Sequence, residues 1–139
     1  MPNFRWACLV AGCLYILIGA SILIQGVAAM EPFGVPAETL ASPHYADAIT
    51  WVYLHQTVVG GMLVVAGWKA KDPGFKLWFA RVALVAHGAY AALDFGHSEP
   101  VGNGLYEGPA SVAPGILVAI MLVLFIRPAL REERDQSAG

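Results

Sequence analysis

Trp6-Ala-Cys-Leu-Val-Ala-Gly-Cys-Leu-Tyr-Ile-Leu-Ile-Gly-Ala-Ser-Ile-Leu-Ile24 contains no charged residue, and it decides which solvent the chain is built for. A helix rises about 1.5 Å per residue, so roughly 20 apolar residues cross a hydrocarbon core about 30 Å thick. The run is long enough to span. Three further apolar stretches follow it, and the expected spans cover about residues 6–25, 46–68, 75–94 and 109–126. They use nearly all of the 139 residues. The expected fold is therefore all-α, a membrane-embedded four-helix bundle forming one transmembrane domain over 1–139. Composition points the same way: 58% hydrophobic and 13% charged residues with a mean hydropathy of +0.61 lie outside the range of soluble domains of this length.

Arg5, an apolar core and Val27-Ala28-Ala29 also outline a secretory signal, but the core of a signal is only about 7–15 residues long. A retained first span is expected. The segment from Gln25 to about Tyr45, broken by Pro32, Gly34, Pro36 and Pro43, reads as a long outer loop. Lys69-Ala-Lys-Asp-Pro-Gly74 reads as a tight connection with Pro73-Gly74 as its turn, which predicts antiparallel packing of the second span on the third.

Basic residues near span ends stay cytoplasmic during insertion. Arg5, Lys69, Lys71, Lys76, Arg81, Arg127, Arg131 and Arg134 all fall on one side of the four-span arrangement. The two opposite loops carry only acids, Glu31, Glu38 and Asp47 in one and Asp94, Glu99 and Glu107 in the other. Both termini are thus expected in the cytoplasm, with the protein multi-pass in a bacterial inner membrane. Trp6, Trp68 and Trp78 at the cytoplasmic ends, and Tyr45 and Tyr106 at the outer ends, fit an interfacial belt. Small residues, including Ser111, Gly115 and Ala119 on one face and Ala80, Ala83, Ala86 and Ala89 on another, fit close helix packing in lipid.

The formal net charge of -2 and the scattered Lys and Arg exclude a nucleic-acid footprint. Cys8 and Cys13 are not spaced as a redox CxxC pair and are expected to be buried, inert thiols. No phosphate loop, HExxH zinc motif or nucleophile elbow occurs.

Ionisable side chains inside a span are costly and are functional candidates for that reason. Arg81 is near enough to the cytoplasmic side to snorkel. His55 lies about 12 Å in from the outer surface and His87 about 10 Å, by helical rise. Asp94 shares the face of His87, and His97 follows it. His55, Gln56, Trp51, Met62, Tyr90 and His97 are the expected ligand-binding residues of an outer-leaflet pocket, and His87 and Asp94 the candidate catalytic pair. Each histidine could instead bond a carbonyl or hydroxyl of a neighbouring helix and merely knit the bundle.

His55-Gln-Thr-Val-Val-Gly60-Gly61, the Lys-Asp-Pro turn, Ala86-His87-Gly-Ala and a His- and Gly-containing loop before the last span together resemble small bacterial four-helix membrane proteins of unknown function. The resemblance covers roughly residues 50–126 and implies the topology without supplying a reaction.

The expected partners are the bilayer, a lipophilic small molecule such as a lipid or isoprenoid, and a larger membrane complex or a second copy. The leading expectation is a protein that binds such a molecule or serves as an accessory subunit. Proton-transfer chemistry by His87 and Asp94 on a lipophilic substrate, as in an isomerase or cyclase, is one alternative. Haem or metal held by His55 and His87 is another, although no cofactor is expected from the residue set. Topology is directly testable. With Cys8 and Cys13 changed to Ala, Ala41→Cys and Asn103→Cys should react with an impermeant thiol reagent in intact cells. Asp72→Cys and Ser137→Cys should react only after lysis, and labelling of Ser137→Cys from outside would contradict the expected orientation.

Overall fold

The computed structural model describes residues 3–97 and 112–130, with side chains for 3–92 and 115–130. The described residues are all helical or in short connections, and no strand occurs among them. α1 spans Phe4–Gln25, a 3-10 segment Gly26–Phe33, α2 Ala37–Leu40, α3 Pro43–Lys69, α4 Pro73–His97 and α5 Val112–Leu130. Two helical stretches, Phe4–Phe33 and Pro43–Lys69, are long and apolar enough to cross a membrane, while the apolar stretch Gly115–Leu130 is shorter.

Local chemistry sets these boundaries. The Asn3 side chain accepts the Trp6 N–H at 3.1 Å and caps α1. Gly26, at φ 63, ends it. Pro43 occupies the first turn of α3, where its missing N–H breaks no helical bond. Asp72 Oδ1 accepts the Phe75 N–H at 2.6 Å and starts α4.

Several expectations change. The stretch read as one irregular loop holds the 3-10 segment and α2, and α3 begins at Pro43 rather than near 46. Pro73 and Gly74 form the first turn of α4 instead of a turn between helices, because proline fits that position as well as it fits a bend. The α4 backbone runs through Gly96 to His97, so Gly96 does not end the helix. Cys8 is buried as expected, but Cys13 is exposed.

The largest difference lies in helix order. α3 packs chiefly on α1, α4 on α5, and α1 also touches α5, whereas among the described residues α3 and α4 do not pack closely despite their short connection. Glycine explains the choice. A Cβ on Gly12 would stand 2.6 Å from the Gly60 carbonyl oxygen, and one on Gly60 2.8 Å from that of Gly12. A Cβ on Gly67 would meet Arg5 O at 3.0 Å and Cys8 Cβ at 2.8 Å, and one on Gly19 would meet Thr57 Oγ1 and Tyr53 O. The two backbones thus touch along an antiparallel seam that larger side chains would hold apart.

Ala7, Cys8 and Ala11 of α1 join Leu63 of α3, Ala80 and Ala83 of α4, and Met121, Leu124, Phe125 and Ala129 of α5 in the buried core. The start of α1, the end of α3, the start of α4 and the end of α5 meet at one end of the molecule. Arg5 lies beside Gly67, the Phe4 and Phe79 rings are 5.8 Å apart edge-on, and Arg81 Nε donates to the Ala129 carbonyl at 3.3 Å. The loop 98–111, with Tyr106, Gly108-Pro109 and Ser111, and the tail from 131 onward lie outside the described residues.

Gly60→Ala should therefore cost about 1–3 kcal/mol by overpacking the seam. Gly61→Ala, whose added Cβ meets nothing within 4 Å, should stay within about 0.5 kcal/mol of the parent. Thermal unfolding of the two purified variants in one detergent checks this, and equal losses would contradict the seam.

Candidate polar site

His87 is the buried polar side chain of the described core, at 5% exposure. Its Nδ1 is 2.6 Å from the Ala83 carbonyl of its own helix, one turn back. A carbonyl can only accept, so Nδ1 carries the proton. In the neutral ring Nε2 is then an acceptor, and Tyr15 Oη, 2.6 Å away on α1, donates its hydroxyl proton to it. The Phe125 ring of α5 stacks on the imidazole at 15° and 5.8 Å between centroids, and Tyr90 lies edge-on at 6.2 Å. One imidazole thus ties α4 to α1 by a hydrogen bond and to α5 by ring packing, with both ring nitrogens engaged.

α3 packs on α1 through Tyr53, Thr57, Gly60, Val64 and Gly67. His55 is two residues from Tyr53, about 200° around the helix at 3.6 residues per turn, so it faces away from α1 and is exposed. Trp51 and Met62, 73% and 63% exposed, share that outward face. The structure brings Trp51, His55 and Met62 together but sets them apart from His87. The shared pocket expected between His55 and His87 is therefore not formed within one chain, because α1 rather than α4 is the neighbour of α3. Gln56 is half-buried on the flank of α3, and its Nε2 is buried without a hydrogen-bond partner among the described residues. Tyr90 is exposed. The side chains of Asp94 and His97 lie outside the described residues.

Tyr15 was missed in the sequence. Its signal was present, since a phenol in the middle of a long apolar run needs a buried partner for its hydroxyl. Arg81, expected to snorkel, lies 5.1 Å from the Trp78 ring and bonds the last turn of α5. Among the described residues no cluster of three His, Cys, Asp or Glu could hold a metal.

No protein-family model, curated protein or solved structure matches the chain. Function must be read from these side chains.

A double-mutant cycle measures the Tyr15–His87 bond. Tyr15→Phe and His87→Leu, singly and together, should show a coupling of about 0.6 kcal/mol and at most roughly 1.7, the range of interhelical bonds in lipid. Strictly additive losses in unfolding stability would contradict the bond.

Proposed function

We propose that the chain is a four-span integral membrane protein with both termini in the cytoplasm, acting as an accessory subunit that docks a helix of a larger membrane assembly on the outward face of α3. The gathering of Arg5, Lys69 and Arg81 at one end of the bundle supports the orientation. Exposed Leu17, Ile24, Trp51, Val58, Val65, Val82 and Val85 support a lipid-embedded surface.

The observation that carries the docking is His55. Ionisable residues within spans almost always face a bundle interior, a water-filled cavity or a partner. Here the imidazole faces outward from the middle of a 27-residue helix. A convex helix face suits another helix better than a small molecule, whose sites are concave. The neighbours fit that use: Trp51 and Met62 give area and adaptable packing, and His55 gives one donor and one acceptor to fix register.

His87 has the opposite role. With Nδ1 on Ala83 and Nε2 on Tyr15, it has no free nitrogen for a substrate proton, which favours a holding function over acid–base chemistry with Asp94.

Purification of the tagged chain from its native membranes in mild detergent tests the proposal. One protein partner should be retained in fixed ratio, and changing Trp51, His55 and Met62 together to Ala should release it while Tyr15→Phe does not. A retained lipophilic molecule with no protein partner, or a partner indifferent to the triple change, would overturn it.

A further inference from the structure

We infer that the helix docking on α3 belongs to a different protein and carries a lysine or arginine at its outer end, paired with Asp47. The inference rests on the docking proposed above and names the chemistry of its partner.

Helical register puts Asp47 on the docking face. It lies in the second turn of α3 and is exposed. Val58 and Val65, also exposed, follow it by 11 and 18 residues, about three and five turns, so the three share one line along the helix. Gly60, on the seam with α1, is 13 residues on and falls about 140° round the helix. Trp51, His55 and Met62 lie within about 80° of Asp47 on the outward side. The carboxylate therefore stands at the outer end of the face that carries His55, which is about 12 Å further along the axis.

Charge then selects the occupant. No lysine or arginine occurs between Arg5 and Lys69, or between Arg81 and Arg127. In the four-span arrangement these two intervals hold both outer loops, so the chain has no Lys or Arg of its own to meet Asp47. Glu31 of the 3-10 segment and Glu38 of α2, both exposed, add negative charge on segments that pack against α3. A base on the incoming helix complements this edge, steers the encounter and fixes the register of the two helices. A second copy of the chain fits badly. Copies inserted in one orientation and related by a two-fold axis along the membrane normal bring each α3 residue to the depth of its counterpart, so Asp47 would oppose Asp47. No other arrangement of upright copies supplies a Lys or Arg at that depth. Two points thus define the partner helix. It has a basic side chain at its outer end and, about 12 Å or eight helical residues deeper, a side chain that hydrogen-bonds the His55 imidazole.

The tagged full chain, purified from native membranes with its partner and washed at rising NaCl, tests this. Salt should speed release of the partner from the parent chain, because the pair lies at the membrane surface. Asp47→Asn should weaken retention by up to about fivefold and remove most of its salt dependence. Asp47→Lys should weaken it by about tenfold or more, and changing the partner's basic residue to Glu should restore it. Asp47→Glu should behave as the parent, which separates loss of charge from loss of fold. Retention that ignores salt and Asp47→Lys, yet is lost when Trp51, His55 and Met62 are changed to Ala, would overturn the basic partner and leave the docking face standing. Retention that ignores all of these changes would remove both. Two differently tagged copies of the chain that retain each other, and separate on the triple Ala change, would overturn the inference in favour of a dimer.

Discussion

The carbonyl oxygen of each of Gly12 and Gly60 occupies the place where the other residue's Cβ would stand. That mutual exclusion brings the α1 and α3 backbones into contact, and the rest of the arrangement depends on it. In the proposed membrane setting, apolar side chains give helices little reason to prefer one another over lipid, so close backbone approach and interhelical hydrogen bonds decide which helices pair. Gly19 and Gly67 extend the contact to both ends of α1. With one flank of α1 committed to α3, the other flank, Ala7, Ala11 and Tyr15, is left for α4 and α5.

The histidines of α3 and α4 receive different fates from this order. His87 faces α1 and α5, where Tyr15 and Phe125 enclose it. His55 sits on the side of α3 that the seam turns away from the bundle. The first is satisfied within the chain and works as a clamp. The second is exposed, and in the proposed function its side of α3 is the surface that engages an assembly.

Helix positions were legible in the sequence because apolar length and breaker residues are local signals. Spans expected at about 6–25, 46–68 and 75–94 correspond to α1, α3 and α4 with shifts of two or three residues where Pro43 and Pro73 open helices instead of preceding them. The alternative role considered for His87, a bond to a neighbouring helix, is the one the structure displays. Pairing was not legible. Connection length argued for α3 on α4, and the competing signal, glycines at 12, 19, 60 and 67, gains meaning only once the two faces are set against each other. The face of His55 followed from that pairing and could not be fixed before it. Tyr15 was overlooked because a tyrosine in an apolar run counts as one more hydrophobic residue until its hydroxyl is asked for a partner.

Disulfide trapping in native membranes tests the helix order most directly. A Cβ at position 67 would lie 2.8 Å from Cys8 Cβ, so Gly67→Cys, with Cys13→Ala, places two thiols on the seam within a small adjustment of the usual spacing of about 3.5–4.5 Å. Mild oxidation should link Cys8 to position 67 within one chain. In a background lacking Cys8 and Cys13, His55→Cys with His87→Cys should give no intramolecular link. A chain that joins positions 55 and 87 but leaves Cys8 and position 67 unlinked would contradict the α1–α3 seam and the roles assigned to both histidines.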